Sequence, residues 1–462
     1  MTDWSVIMLD GFLNIDTSSE LPLWRQIYDS LASAVCGGSI PPGTRIPSIR
    51  ELASELGVSR SPVENAYVRL QIDGILESRP KSGFFTLEAS GGVLKSYGTV
   101  KDGESKALRY DFSSEKIDIK CADADVWKRH LRMALNRQDE IISRGSPMGE
   151  AELRDALVAY CRTARGVVAS PDRIIIASGT QQLLSLLCRI LGHGGRAALE
   201  DPGFSQAEQV FADFGWQTDI VRRSDGASLV KSLSESKSDI FAEITSNLPH
   251  MPLAKLFARR NELISWARGG HLIVEDDYNG ELHYVSRPVP SLQGAAPDFV
   301  VYVGSFSRLL LPSVRIAYMV LPPSLAGLAS KVISSYDQTS SKVEQLALAE
   351  YIKNRDLERH LKRSRKIYQA KAKKLMSDLK EKFETSVPEL YETSMSVRLK
   401  FKCSCSSSEL EELAFSVGIR AEAVYEERGF MNVYLSFSGI SSCDITEAVT
   451  SLHRVWNGLI EK

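Results

Sequence analysis

An apolar run that reads as a buried strand begins at residue 299. Hydroxyl and guanidinium side chains follow it, up to residue 315. The run ends at Ser305, Arg308 comes three residues later, and a second apolar run begins at Ile316. A strand that ends in this way delivers polar groups into a pocket. The guanidinium of Arg308 can reach an anionic ligand, but it stays protonated and cannot be a nucleophile. The stretch therefore predicts a ligand pocket whose arginine binds without covalent chemistry.

Four more short apolar runs each end at small or polar residues, a pattern typical of strands that alternate with helices. The runs are residues 173–177, 197–200, 239–244 and 272–275, and their tips are residues 178–180, 201–203, 245–247 and 276–278. Because ligands bind at the carboxyl ends of parallel strands, we expect these tips to line one crevice. Ser178, Gly179 and Thr180 precede a predicted helix, where free N–H groups form an anion cradle. Taken alone, these three residues are also consistent with an ordinary strand-to-helix turn.

The passage from Tyr302 to Tyr318 resembles the signature around the cofactor lysine of fold-type I pyridoxal-phosphate (PLP) enzymes. It is similar in particular to the aminotransferase-like half of MocR-type bacterial transcription regulators, and the strand tips extend this resemblance along the chain. The resemblance implies that the phosphate is held by Ser178, Gly179, Thr180, Ser305 and Arg315, the ring nitrogen by Asp276, the ring oxygen by Tyr278 and the ring face by Phe204. For Asp276 the alternative is a cap of the following loop.

The chain departs from the family pattern at positions that carry the chemistry. Arg308 stands where the family has the lysine that holds PLP as a Schiff base, and Tyr434 where it has the arginine that clamps a substrate carboxylate. A phenol offers one neutral hydrogen bond in place of a charged fork. Residues 247–252 replace a histidine-containing loop, and Arg144 replaces a tyrosine. These departures predict that PLP can bind only non-covalently and that amino-acid transamination is lost.

Residues 21–86 carry the signals of three short helices followed by a hairpin. Ser48 and Glu51 have the spacing of a capping box, and Ser59 is placed to cap the third helix. Residues 75–78 and 84–86 read as the two strands of a hairpin wing. Three helices and a basic hairpin make a winged helix-turn-helix. Residues 42–53 and 57–60 resemble the GntR-type DNA-binding module, and the turn, cap and recognition-helix residues all occur at the family's spacing.

The placement of the basic and polar side chains in this module predicts contacts to double-stranded DNA. The candidate contacts are Arg45, Ser48, Arg50, Ser59, Arg60, Ser61, Asn65, Lys81, Ser82 and Gly83. Seven Lys/Arg against six Asp/Glu between residues 21 and 86 leave only +1, which favours a solvated helical subdomain as the alternative. The arginines lie at caps, turns and the wing, where groove and phosphate contacts are made, and this placement favours DNA binding.

The predicted fold class is α/β with an N-terminal winged helix-turn-helix. We expect an N-terminal arm over residues 1–20, the DNA-binding domain over 21–86, a polar linker over 87–109, a large aminotransferase-like domain over 110–355 and a smaller α+β domain over 356–462. The large domain should contain a mostly parallel sheet between helices.

Composition bears on metal binding and on the cellular location of the protein. The 462 residues carry a formal net charge of -2, and their seven cysteines and seven histidines show no metal-ligand spacing. Without a signal-like N-terminus or an apolar run of membrane-spanning length, the sequence predicts a cytoplasmic protein without a metal.

Two functions from different classes stay open on the sequence alone. The first is a transcription regulator that binds repeated operator half-sites as a homodimer and senses a small-molecule effector in a silent PLP-type pocket. The second is a PLP-dependent aminotransferase with an appended DNA-binding module. A third interpretation makes the large domain a dimerisation scaffold. Arg308 favours the first.

Overall fold

The structure is a computed structural model that describes most of the chain. The described residues are 21–79, 82–87, 108–113, 116–118, 120–201, 205–222, 229–244, 253–284, 289–384, 386–391, 394–403, 405–427 and 430–460. The chain divides into two compact units, residues 1–105 and 106–462. The finer domain boundaries predicted at residues 20, 86, 109 and 355 stay predictions.

The first unit is the predicted winged helix-turn-helix. Its helices are α1 (Leu23–Cys36), α2 (Ile49–Glu55) and α3 (Arg60–Ile72), and its strands are β1 (Arg45–Ile46), β2 (Leu76–Arg79) and β3 (Gly83–Thr86). The three strands form an antiparallel sheet in the order β1-β3-β2. The apolar faces of the helices pack into one core that contains Ile27, Leu52 and Leu70.

Local sequence signals set where these helices begin. Ser48 and Glu51 form the predicted capping box, because the Ser48 N–H donates to Glu51 Oε2 at 2.8 Å and the Glu51 N–H donates to Ser48 Oγ at 3.3 Å. Ser59 occupies the N-cap position of α3, but its side chain makes no capping hydrogen bond. The sequence therefore predicted the position of Ser59 correctly and its capping bond wrongly. The Tyr67 hydroxyl joins α3 to the turn before α2 by donating to the Pro47 carbonyl at 2.8 Å.

The second unit contains the predicted large, mostly parallel sheet. Its strands are β5 (Ile174–Ala177), β6 (Gly195–Asp201), β7 (Trp216–Arg222), β8 (Ile240–Ile244), β9 (Leu272–Asp276), β10 (Val300–Ser305) and β11 (Ala317–Val320). They lie in the order β5-β11-β10-β9-β8-β6-β7, and only β11 runs antiparallel to its neighbours. Strands β5, β10 and β11 are buried almost throughout, as expected for a sheet covered by helices on both faces.

Helices flank the central sheet and connect its strands. They are α4 (Ala124–Leu135), α5 (Gln138–Ile141), α6 (Ala151–Arg165), α7 (Thr180–Leu191), α8 (Ser205–Asp213), α9 (Leu229–Glu235), α10 (Leu253–Arg268), α11 (Leu292–Ala295), α12 (Pro323–Ile333) and α13 (Lys342–Lys353). A short β4 (Tyr110–Asp111) pairs in parallel with β14 (Ile419–Arg420). The α/β fold class predicted from the sequence is thereby confirmed.

The last hundred residues form a second, smaller sheet with its own helices. Its strands are β12 (Glu389–Tyr391), β13 (Ser396–Lys402), β15 (Glu422–Glu427) and β16 (Phe430–Ser436), in the antiparallel order β12-β13-β16-β15. The helices are α14 (Asp356–Lys382), α15 (Ser407–Ser416) and α16 (Ile445–Trp456). None of the helices described in the structure is both long and apolar enough to cross a membrane.

Candidate functional site

The candidate DNA face of the first unit combines the start of α2, the start of α3 and the wing. Arg50, Arg60, Ser61 and Asn65 are exposed, as are Ser59 and Ser82 in the adjoining turns. Arg45 and Ser48 are half-buried. Arg45 lies beside the wing, because an ideal Cβ at Gly83 would be 3.4 Å from its Nε. Lys81 lies outside the described residues. The fold thus brings candidates from separate parts of the sequence to the same small unit.

The arginines of this unit fall into two groups by their partners. Arg25, Arg69 and Arg79 form ion pairs with Asp29, Asp73 and Glu77 respectively. Arg45, Arg50 and Arg60 form no ion pair with any residue in the described part of the chain. An unpaired guanidinium keeps its full charge for an external phosphate or base edge. The unpaired arginines are those that the sequence placed at the turn, the cap and the recognition helix.

Sheet register brings the candidate phosphate ligands of the second unit to one edge. Ser305 pairs with Ala317 across β10 and β11, and Ala317 pairs with Ala177 across β11 and β5. The residue after Ala177 is Ser178, and Arg315 precedes Ala317 by two residues. The ends of β5 and β10 therefore meet the beginning of β11. This position at the carboxyl ends of parallel strands is where α/β proteins bind ligands.

Arg315 lies against the first turn of α7. An ideal Cβ at Gly179, whose φ is +114°, would be only 2.7 Å from Arg315 Nη2. Gly179 is the N-cap residue of α7, and no side chain from the described residues caps this helix. The unbonded N–H groups of the first turn of α7 and the exposed guanidinium of Arg315 thus both direct positive charge to the start of this helix. Such an arrangement binds a phosphate or another anion.

Asp276 is the last residue of β9. Its carboxyl differs from the neighbouring side chains because it has no hydrogen-bond partner among the described residues. No group in the described part of the chain donates a hydrogen bond to its carboxyl. Burial, together with the adjacent charge of Asp277, raises the pKa of Asp276 to about 7. The register Val303↔Asp276 places this carboxyl one strand away from β10. An unbonded carboxyl in a crevice is suited to a ligand that brings its own N–H donor.

Tyr278 and Arg308 lie against each other at the tip of β9. The guanidinium carbon of Arg308 lies 5.0 Å from the centroid of the Tyr278 ring, which is a cation–π distance. Burial raises the pKa of Tyr278, and the positive charge of Arg308 acts in the opposite direction. The loop that carries Arg308 is held from behind by α14, because His360 Nε2 lies 2.6 Å from the Leu309 carbonyl oxygen. Residue 308 is therefore held close to the tip of β9.

Asp277, the residue directly after β9, forms a buried ion pair with Arg165. Arg165 donates through Nε to Asp277 Oδ2 and through Nη2 to Asp277 Oδ1 at 3.2 Å, and both side chains are at most 1% exposed. The Tyr302 hydroxyl donates to Asp277 Oδ2 at 2.9 Å. Gly280 makes room for the pair, since an ideal Cβ there would be 2.7 Å from Arg165 Nε. Sequence reasoning missed this pair, because Arg165 lies in an ordinary helix pattern 112 residues earlier.

Tyr434 has a guanidinium beside it that the sequence did not reveal. Tyr434 pairs across β16 and β13 with Arg398, so both side chains lie on one face of the small sheet. The Tyr434 ring is 5.6 Å from the Tyr391 ring, in an edge-on arrangement. Arg398 forms an ion pair with Glu389. The positive charge next to Tyr434 is therefore already matched by a carboxylate.

The remaining candidates lie at the surface or outside the described residues. Arg144 is exposed and lies 3.3 Å from Asp337, through Nη1 and Oδ1. Phe204 and the loop 247–252 lie outside the described residues. Within the described ranges, no three His, Cys, Asp or Glu side chains are grouped in a way that could hold a metal ion.

Comparison with known families identifies both units. Residues 23–86 match the family described as bacterial regulatory proteins, gntR family, and residues 110–413 match aminotransferase class I and II. The HTH-type transcriptional regulator YhdI of Bacillus subtilis is 31% identical over 461 residues, covering 96% of this chain and 98% of that protein. The probable rhizopine catabolism regulatory protein MocR of Rhizobium meliloti is 30% identical, covering 78% of each chain.

Solved structures extend the comparison to the fold of the second unit. An archaeal alanine:glyoxylate aminotransferase matches with a TM-score of 0.66 at 19% identity, covering 76% of this chain and 91% of that one. At that identity the likeness concerns the fold. Together with the two family matches and the relative of 31% identity, it leads to one conclusion. The chain belongs to the HTH-type transcriptional regulators and to the aminotransferase class I and II family, and its residues 23–86 form a gntR-type domain.

Proposed function

We propose that this protein is a DNA-binding transcription regulator whose aminotransferase-like unit senses a small molecule without covalent catalysis. The observation that carries the proposal is Arg308, which lies against Tyr278 and which the resemblance aligns with the cofactor lysine. The names of the relatives support the regulatory part, since they include a pyridoxine biosynthesis regulator, PdxR, of Corynebacterium glutamicum. We further propose a cytoplasmic homodimer that binds two operator half-sites, because most soluble oligomers are symmetric and dimeric regulators read repeated sites.

The described residues fit the ring and phosphate of PLP or a related phosphorylated pyridine. Asp276 has an unbonded carboxyl for a ring N–H, and Arg315 with the first turn of α7 offers donors for a phosphate. We expect the Tyr278 phenol to bond a ring oxygen. PLP, when bound, supplies an electron sink for amino-acid chemistry. In this chain the role of Asp276 would be to hold the ring nitrogen, and the role of Arg315 to hold the phosphate.

The same residues do not support transamination. The Arg308 guanidinium is permanently protonated, so it can neither bond to an aldehyde nor move a proton at the α-carbon of an amino acid. Tyr434 offers a neutral phenol where a substrate carboxylate would need a cation, and its neighbour Arg398 is already paired with Glu389. Binding, orientation and exclusion of water are the tasks left to the pocket. This argues against the alternative of an aminotransferase with an appended DNA-binding module.

We expect Arg50→Ala and Arg60→Ala each to weaken operator binding. Loss of a base contact costs about 1 to 3 kcal/mol, which is about 5- to 150-fold in Kd. The reason is that both guanidinium groups are exposed and form no ion pair in the described part of the chain. A gel-shift titration at fixed salt measures the effect, and an unchanged far-UV spectrum shows that the helices persist.

The matched control for this experiment is Arg69→Ala, on the same helix as Arg60. Arg69 is nine residues further along α3, about 13 Å at 1.5 Å per residue, and is paired with Asp73. Its loss should change the affinity much less. Equal affinities for all three variants and the wild type would contradict the DNA face. Sedimentation of the same preparations should give a dimer, whereas a monomer with one short footprint would contradict the two half-sites.

We expect a phosphorylated pyridine to raise the thermal stability of the second unit, and Gly179→Ala to abolish this rise. A ligand that binds only the folded state at 100 times its Kd stabilises it by about 2.7 kcal/mol. The added methyl group would collide with Arg315 Nη2 and displace it from the helix start. Scanning calorimetry with and without pyridoxine 5′-phosphate, which cannot form an imine, measures the shift.

Gly192→Ala is the control for backbone strain. Gly192 lies at the other end of α7 with a φ of +90°, and an added Cβ there meets nothing within 4 Å. Its variant should lose some stability but keep the ligand-induced shift. If no phosphorylated pyridine or other metabolite stabilises the wild type, the second unit is a scaffold and the sensing proposal is wrong.

A further inference from the structure

Two cysteines lie next to each other where β13 of the small sheet ends. Cys403 directly follows β13, and its backbone forms an antiparallel bridge with Ile460. Cys405 directly precedes Ser406, the N-cap residue of α15, whose capping box fixes the start of that helix. The end of a strand and the start of a helix therefore hold the two thiols one residue apart.

The side chain of Cys403 is turned towards Cys405. The Cys405 N–H donates a hydrogen bond to Cys403 Sγ at 3.4 Å. Burial, together with a hydrogen bond between the two thiols, raises the pKa of Cys405 to about 12. Cys405 therefore keeps its proton at neutral pH. A thiolate at Cys403 would thus have two donors beside it, the N–H and the S–H of Cys405.

Accessibility separates this pair from the other cysteines that the structure describes. Burial makes a thiol inert, and it applies to Cys121, Cys161 and Cys188. Cys443 is exposed, and its sulfur lies 3.0 Å from the Ser441 hydroxyl. Cys403 and Cys405 are half-buried, so a small reagent can reach them. Among the described cysteines, these two combine access from solvent with a second thiol at hand.

The geometry of the chain permits a bond between the two sulfurs. A disulfide joins residues whose Cα atoms are about 4.4 to 6.8 Å apart, and residues at i and i+2 are at most about 7 Å apart. The hydrogen bond from the Cys405 N–H places the Cys403 sulfur next to the backbone that carries the second thiol. The bond can therefore close without moving β13 away from α15.

We propose that Cys403 and Cys405 form a thiol-oxidation site, which low-molecular-weight disulfides convert to an intramolecular disulfide. The Cys403 thiolate attacks one sulfur of the small disulfide, and the first small thiolate leaves. Cys405 then loses its proton, and its sulfur attacks Cys403 Sγ of the mixed disulfide, which releases the second small thiolate. Two electrons pass from the pair to the small disulfide, and the two protons of the pair end on the released thiols.

This site makes the small sheet responsive to the thiol–disulfide balance of its surroundings. In a reducing cytosol the pair is a dithiol, and a shift towards small disulfides closes it. The inference does not depend on the ligand of the second unit or on DNA binding.

Peptide mass spectrometry of the full-length protein tests the inference with oxidised glutathione. After incubation, the remaining thiols are blocked with N-ethylmaleimide, and trypsin releases residues 403–420 as one peptide. We expect this peptide to be lighter than the dithiol by two hydrogens and to carry neither glutathione nor maleimide. The closed form should exceed the mixed disulfide by about tenfold, because the second thiol attacks within the same chain. Dithiothreitol should restore the dithiol.

Cys405→Ser and Cys443→Ser are the matched variants. Without the Cys405 thiol the ring cannot close, so Cys403 should retain glutathione as a stable mixed disulfide. Cys443→Ser should leave the closed form of residues 403–420 unchanged. An unchanged far-UV spectrum shows that each variant is folded.

The exposed Cys443 of the wild type is the internal standard, and the glutathione concentration is raised until this thiol carries an adduct. The inference is wrong if residues 403–420 then still carry maleimide on both thiols. It is equally wrong if they carry a stable glutathione adduct or are joined to a second peptide. These results come from the wild type, so they decide the matter even if a variant does not fold.

Discussion

Arg308→Lys should form a covalent, borohydride-stable adduct with PLP at position 308, and the wild type should form none there. The substitution introduces a primary amine at the position where the resemblance to the family places the cofactor lysine. The position is half-buried, and burial lowers the pKa of an ammonium towards its nucleophilic form. Mass spectrometry of the peptide that contains residue 308, after borohydride treatment, measures the adduct.

The same variants also test for unspecific adducts and for transamination. Exposed lysines elsewhere react with free PLP, so only the peptide with residue 308 is informative, and Arg308→Gln serves as the variant without an amine. Transamination should remain undetectable in Arg308→Lys, because the prediction is that Tyr434 stands in place of the arginine that would clamp a substrate carboxylate. If Arg308→Lys binds PLP but carries no adduct at 308, this residue does not face the ligand. If the wild type converts amino acids, the proposal of a silent sensor is wrong.

Arg165→Leu should be the most destabilising single substitution proposed for the second unit. It leaves Asp277 buried without its cation and near two other carboxyls, Asp276 and Glu281. The pKa of Glu281 is already raised by burial and by Asp277. Removal of one partner of a buried ion pair costs about 3 to 5 kcal/mol in the free energy of unfolding. Urea denaturation followed by circular dichroism measures the loss. The same support holds the backbone of Asp276 and Tyr278, so ligand binding should weaken with it.

The deficit of Arg165→Leu should grow as the pH rises. Burial and the charge of Asp277 raise the pKa of Glu281, and the charge of Arg165 lowers it in part, so loss of the guanidinium should raise the Glu281 pKa further in the folded chain. The folded state then binds more protons, so the free energy of unfolding falls with increasing pH. We expect a larger deficit at pH 8 than at pH 5. The double variant Arg165→Leu with Asp277→Asn removes the lone charge and should recover much of the loss. A deficit that is equal at both pH values would contradict this account.

Short-range signals made much of the architecture predictable. The capping box at Ser48 and the apolar runs that became β5, β8, β9 and β10 are all encoded within a few residues. Periodicity and caps depend on local backbone geometry, so they can be read without knowledge of the rest of the chain. The same signals did not predict β7. They also predicted a capping hydrogen bond from Ser59, which occupies the N-cap position of α3 without making that bond.

The two-module design and the α/β class follow from local patterns in the sequence. Which of the distant residues come into contact depends on how the strands and helices pack. The strand order places β11 between β10 and β5, and this brings Arg315 to Gly179, 136 positions apart in the chain. It also pairs Arg165 with Asp277, and Arg398 with Tyr434 across two strands. Contacts of this kind depend on how distant elements pack, because burial of a charge and its partner is a property of the folded core and not of any local stretch.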